Sequence, residues 1–312
     1  MTVDEAIDAF LFHCRYEKNL SPRTLTAYAA DLRQFRAGAA AGTMEDVLLL
    51  GKPELRAYIQ TLFGAYRDKT VKRKVATLKA FFGYLERDGG IPCTPFRTME
   101  VKIKETQRLP RTIPLCELER LFQYLYDQRE AAREDSMIGF TLARDTAVLE
   151  AIFATGARVS EICHLQVDDV NLTDGWVRIV GKGARERVVQ ICTPSVLAAL
   201  TYYQTRRDIV VARAPYLFLN RSGRRLSEQS VRALLRRYAY RAGVGVPVRP
   251  HLLRHSVATL LLGEGVDIRH IQHLLGHSSI VTTQIYTHVN GQSQREVLAA
   301  KHPRRRLAAG II

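Results

Sequence analysis

The residues best suited to chemistry in this sequence are mostly basic and lie in its second half. His251-Leu-Leu-Arg254-His255 sets His251 and Arg254 three apart, on one face of a helix. Pro250 puts the helix start beside His251, and a helix N-terminus favours a bound anion. The two side chains can therefore form a phosphate clamp. By itself such a pair is more often an ordinary surface arginine next to a satisfied histidine. Gly276-His277 is followed by Ser278-Ser279, either of which can cap a short helix with Tyr286 late in it, before Asn290-Gly291. Taken alone, a tyrosine there is usually a packing residue with a wet hydroxyl. Arg158 can pair with Glu161 at i+3 as a surface bridge worth little, and Lys182 in Gly181-Lys182-Gly183 can be an ordinary turn lysine. His270, His273 and His277 have a spacing that can bind zinc, but no carboxylate or thiol lies in register to complete a site.

The elements that must position these groups are mostly helices. Val3, Ile7, Phe10, Leu11 and Cys14 recur at helical spacing. Ser21-Pro22 opens a second helix as cap and first residue, with Leu25, Tyr28, Leu32 and Phe35 as its stripe. Pro53 opens a third helix, and a fourth runs from about Lys69 to Arg87 and stops at Gly89-Gly90. That fourth helix carries Lys69, Lys72, Arg73, Lys74 and Lys79 apart from the stripe Val71, Val75, Leu78 and Phe82. Its charged face is either simply solvated or a phosphate-tracking surface. Prolines 92, 95, 110 and 114 predict an extended, basic linker over 91–114. Helical patterns cover 115–126 and 142–155, with a polar excursion at 127–139 between them. Trp176–Val180, Gly181-Lys182-Gly183 and Arg187–Ile191 read as strand, turn, strand. Helices follow over about 195–211, 227–243, 251–263, 268–275 and 280–288. The fold class is mainly α with one small antiparallel β-sheet.

Composition bounds the partner. The 312 residues suit about two domains. Lys and Arg number 46 against 31 Asp and Glu, a formal charge of +15 that points to a polyanion. The five cysteines are odd in number, widely spaced and contain no C-x-x-C pair, which argues against a disulfide framework and against a cysteine zinc site. The N-terminus lacks a basic signal region and no apolar run is long enough to span a bilayer. A reducing, DNA-accessible compartment is expected: cytoplasmic and nucleoid-associated.

Four strings in order resemble the tyrosine recombinases, in particular their Xer-type and phage-integrase branch. They are Ala154-Thr-Gly-Ala-Arg158-Val-Ser-Glu161, Gly181-Lys182-Gly183-Ala-Arg-Glu-Arg187, Pro250-His251-Leu-Leu-Arg254-His255, and Leu275-Gly276-His277 through Tyr286-Thr-His288. Asn19–Tyr28 is similar to the family's core-binding domain, and His302-Pro303-Arg304 to the usual Xer ending.

The resemblance implies a helical core-binding domain over 1–90, the linker, a catalytic domain over 115–290 and a tail over 291–312, closing on duplex DNA as a C-shaped clamp. The apolar end Leu307–Ile312 suits docking on a neighbouring protomer, with a disordered tail as the alternative. It implies that Tyr286 attacks a scissile phosphate to form a 3′-phosphotyrosine, without ATP, metal or other cofactor. Arg158 and Arg254 would grip the non-bridging oxygens. Lys182 would protonate the leaving 5′ oxygen, His251 would assist proton transfer at the tyrosine, and His277 would bond the phosphate. A homotetramer exchanging strands through a Holliday junction is implied, in integration, excision or chromosome dimer resolution; a second recombinase or accessory protein stays open. DNA contacts are expected from Lys72, Arg73 and Lys79, and base reading from the helix bearing Arg232 and Arg236 at i and i+4. A type IB topoisomerase-like activity and a non-catalytic DNA-binding regulator are the alternatives.

Overall fold

A computed structural model of the protein describes residues 2–39, 51–103, 112–134, 136–181, 185–210, 214–276 and 291–306. The chain divides into two compact units, Met1–Arg108 and Leu109–Ile312. Among the described residues the regular elements are helices apart from one three-stranded antiparallel sheet.

The first unit holds α1 (Val3–Tyr16), α2 (Pro22–Ala39), α3 (Lys52–Ala65) and α4 (Asp68–Arg87). Its sequence signals act as local chemistry predicts. Thr2 and Glu5 form a reciprocal capping box at α1. Ser21 accepts a bond from the Thr24 N–H at the start of α2. Apolar side chains at helical spacing, including Phe10, Leu32, Phe35, Leu55, Val71 and Phe82, meet in one core. Burial of each contributes roughly 1.5–3 kcal/mol. Asp31 is buried on α2 and receives Lys74 Nζ at 2.9 Å, the Thr77 hydroxyl and the Arg73 guanidinium. Lys74 is therefore not on the charged face that the sequence pattern gave it. It lies inward, and an unpaired lysine there would be costly. Residues 91–103 also depart from a fully extended linker: Pro95–Thr98 is a 3₁₀ turn, and Ile91 and Met99 are buried in this unit's core.

The second unit is organised around α6 (Met137–Thr155), which is buried along almost its whole length. α5 (Leu115–Glu130), α8 (Pro194–Val210) and α10 (Pro250–Gly263) pack around it. The polar excursion is shorter than the sequence suggested. α5 runs on to Glu130 and α6 starts at Met137, where Ser136 caps it through the Gly139 N–H at 2.9 Å. After the short α7 (Val159–His164) come β1 (Val170–Asn171), β2 (Trp176–Val180) and β3 (Glu186–Gln190), in the order β1-β2-β3. Ile179 pairs with Arg187 and Val177 with Val189, so Arg187 shares the inward face of β3 with Val189. α9 (Glu228–Arg241), α11 (Ile268–Leu275) and α12 (Gly291–Lys301) complete the unit.

The tail residues through Arg304 pack on their own chain. α12 lies against β3, and Arg304 grips the buried Glu150 of α6 through Nε at 2.7 Å to Oε2 and Nη2 at 2.5 Å to Oε1. His302 Nε2 meets the Ala154 carbonyl at 3.0 Å. Burial, and then the nearby Arg304 charge, push the His302 imidazole down to about 4, while a bond to that carbonyl opposes the shift. Among the described residues no helix is long and apolar enough to cross a membrane.

Candidate active site

Two helix ends and one strand converge on a cluster of arginines. α6 ends at Gly156, which takes the left-handed conformation (φ 59°), and α11 ends the same way at Gly276 (φ 62°). The positive φ is what favours glycine at 156; a Cβ there would also lie 2.5 Å from Leu275 Cδ2, a side-chain end that would have to turn aside. The two C-termini can then share one guanidinium. Arg254, buried one turn into α10, donates from Nη1 to the Gly156 carbonyl at 2.8 Å and from Nη2 to the Leu275 carbonyl at 2.6 Å.

Two further arginines serve the same helix end. Arg187 donates from Nε to the Leu274 carbonyl at 2.9 Å, and Arg158 from Nη2 to the Gly276 carbonyl at 3.3 Å. Three consecutive carbonyls at the end of α11, those of Leu274, Leu275 and the cap Gly276, thus each receive a different arginine. Glu161 ties two of the three together. Its carboxylate accepts from Arg158 Nη1 at 2.7 Å, from the Arg158 backbone N–H at 2.9 Å and from Arg187 Nη2 at 2.7 Å. Burial alone would raise the Glu161 carboxyl; the bonds and charge of Arg187, with the Arg158 bonds, outweigh it and hold it below its ordinary range. Burial, then the charge of Arg158, pushes Arg254 down to about 10, so it stays charged at neutral pH. Three guanidiniums face one carboxylate, and the Arg158 side chain remains 33% exposed. An arrangement of oriented donors with excess positive charge suits an anion of phosphate geometry.

Residues 116–293 match the pattern described as the phage integrase family, and residues 7–89 match the phage integrase N-terminal SAM-like domain. A tyrosine recombinase of Agathobacter rectalis is 40% identical over 299 residues, covering 96% of each chain. The chain belongs to the tyrosine recombinase, or phage integrase, family. Tyrosine recombinase XerC of Pelobacter propionicus is 38% identical, covering 97% of this chain and 96% of its own. A lambda integrase tetramer bound to a Holliday junction shares the fold, with a TM-score of 0.67 at 17% identity, over 92% of this chain and 80% of that one. Membership makes the protein a DNA-binding enzyme of site-specific recombination by the tyrosine-type reaction.

Within this tyrosine recombinase the structure brings Arg158 and Arg254 to one cluster. His251 is exposed in the first turn of α10, one turn before Arg254. Lys182, His277 and Tyr286 lie outside the described residues, as does the expected helix over 280–288. The i+3 pairing of Arg158 with Glu161 is present, but as part of the buried cluster and not as an isolated surface bridge. Of the zinc-spaced histidines, His273 is pushed below its ordinary range by partial desolvation and by the charges of Arg187 and His270. The same positive charge disfavours a dication there. Sequence reasoning missed Arg187 as a member of the cluster. The signal for it was an arginine on the inward register of an alternating strand, where a buried charge demands partners.

The expected DNA contacts are spread over both units. Lys72, Arg73 and Lys79 are exposed on α4. Arg73 also pairs with Asp31, and Lys79 Nζ lies 5.9 Å from the centroid of the Phe96 ring. On α9, Arg236 is exposed and Arg232 is bonded to Glu228 one turn back.

Proposed function

We propose that the protein recombines duplex DNA at a specific site through a 3′-phosphotyrosine made by Tyr286. The observation that carries this reading is the arginine cluster. Arg158 and Arg254, far apart in sequence, are held together by helix-end carbonyls and Glu161 with net positive charge to spare. Arg158 and Arg254 bind the non-bridging oxygens and stabilise the pentavalent transition state. The Tyr286 oxygen forms a bond to phosphorus as the bond to the 5′ oxygen breaks. Lys182 gives that oxygen its proton, His251 takes the tyrosine proton, and His277 bonds the phosphate. The reverse attack by a 5′ hydroxyl rejoins DNA, so the step needs no external energy source.

The helical unit and the second unit both contribute contacts to the duplex. Lys72, Arg73 and Lys79 track phosphates, and Arg232 and Arg236 read from α9. Four protomers act on two sites through a Holliday junction; the fold shared with the lambda integrase tetramer supports this arrangement. The role proposed for this reaction is integration or excision of mobile DNA or chromosome dimer resolution, in the cytoplasm on the nucleoid.

The test is a denaturing gel of the protein incubated with nicked suicide substrates, beside Tyr286→Phe. A covalent protein–DNA band formed without added metal or ATP, and absent in the variant, is expected. A band that persists in Tyr286→Phe would assign the nucleophile elsewhere.

A further inference from the structure

Arg187 has no assigned role, yet it is bonded both to Glu161 and to the end of α11. Its side chain is buried (7% exposed) on β3. Nη2 reaches Glu161 and Nε reaches the Leu274 carbonyl. Two glycines flank the guanidinium. A Cβ placed on Gly276 would lie 2.9 Å from Arg187 Nη1 and 3.2 Å from its Cζ. A Cβ on Gly181 would lie 3.8 Å from Nη1 and 3.4 Å from Glu161 Oε1. Gly181 immediately precedes Lys182, and Gly276 immediately precedes His277. One guanidinium therefore sits where the hairpin leaves β2 towards Lys182 and where the chain leaves α11 towards His277 and Tyr286.

We infer that Arg187 is a positioning residue for the cleavage step, fixing the roots of the segments that carry Lys182 and Tyr286 and, through Glu161, the Arg158 guanidinium. This rests on the recombinase reading above. The chemistry favours positioning over direct phosphate binding. The donors of Arg187 already face a carboxylate and a carbonyl, and its side chain is far less exposed than that of Arg158. A planar fork can hold two acceptors at a fixed angle; a lysine ammonium in its place is a point donor that can satisfy both only by moving. Displacement of reacting groups by about 1 Å costs on the order of 100-fold in rate.

The experiment measures single-turnover formation of the covalent adduct at saturating suicide substrate, with DNA affinity by gel shift and Tm alongside. Arg187→Gln should lose about 100-fold in cleavage rate, with DNA affinity within about threefold of wild type. Arg187→Lys should recover part of the loss. Gly276→Ala, which drives a methyl at the guanidinium, should show the same rate defect. A rate in Arg187→Gln within threefold of wild type overturns the inference. So does a cleavage defect that merely follows lost affinity, or that disappears when rates are compared well below each protein's Tm, since that is a structural role alone. Hydrogen exchange decides the anchoring without reference to catalysis. Peptides covering the two roots, 176–181 and 268–276, should exchange about tenfold faster in Arg187→Gln, and unchanged exchange there sinks the proposal. A wild-type protein that never forms an adduct would instead overturn the recombinase reading, with the exchange result still deciding Arg187.

Discussion

Replacing Glu161 by glutamine tests how the arginine cluster is held. The carboxylate is buried and accepts three bonds, from the Arg158 guanidinium, the Arg158 N–H and Arg187. Glutamine keeps one acceptor oxygen, puts an N–H₂ against donors and removes the one negative charge that faces the three guanidiniums among the described residues. Removing one partner of a buried ion pair costs about 3–5 kcal/mol. At roughly 2–4 °C per kcal/mol for a unit of this size, Tm should fall by roughly 6–20 °C. The uncompensated charge should also make the variant more responsive to anions. Phosphate at 100 times its Kd adds about 2.7 kcal/mol to any protein that binds it only when folded. Calorimetry of wild type and Glu161→Gln, each with and without inorganic phosphate, measures both effects. A fall below about 3 °C, or an equal phosphate response in the two proteins, would refute the view that Glu161 balances the charge of this cluster.

Two further outcomes follow from the tail. Arg304→Leu leaves the fully buried Glu150 with Tyr126 as its remaining bonded side chain (2.6 Å) and should cost about 3–5 kcal/mol, whereas the double variant Glu150→Leu/Arg304→Leu should be more stable than either single one. Additive losses in thermal unfolding would contradict that coupling. The His302 imidazole, held down to about 4 in the folded protein, contributes stability that is whole above its unfolded value of about 6.5 and drains away as pH falls towards 4. Between pH 7 and pH 5 that amounts to about 2 kcal/mol. His302→Gln should flatten this part of the pH–stability curve, and an unchanged slope would show that the imidazole is not buried neutral.

Much of the fold was written in local signals. Ser21-Pro22 and Pro250 start helices, and the Gly276 stop ends one, because caps and φ restrictions act on a few neighbouring residues. What escaped depends on residues distant in sequence. Lys74 falls within the apolar stripe, three after Val71 and four before Leu78, but its charge reads as surface until Asp31, on another helix, is seen to pair with it. α12 opens with Gly291-Gln-Ser-Gln, a poor helix signal, and packs on β3, burying Leu298. Arg158 and Arg254 were legible as types suited to phosphate, while their common anchor was not. Glu161 looks like a surface i+3 partner, and Arg187 like one more charge in a basic hairpin. Only the fold brings the α6 and α11 ends to them.

The way the cluster is held also explains why its charge remains usable. Had each guanidinium been paired with its own carboxylate, an incoming phosphate would have to break those pairs. Here Arg254 is held by two backbone carbonyls, and the carbonyls belong to helix C-termini, each equivalent to roughly half a negative charge. Such partial charges orient the fork without neutralising it. Excess positive charge is thereby stored in a fixed geometry, at a cost visible in the depressed Arg254 value of about 10. A lysine at 254 could not do the same work. Its ammonium would bridge the Gly156 and Leu275 carbonyls poorly, and burial beside Arg158 and Arg187 would drive it towards neutrality, since lysine shifts readily when desolvated. Arginine stays charged under the same pressure, so the two helix ends and the glycines that let them meet make sense as the frame for that residue.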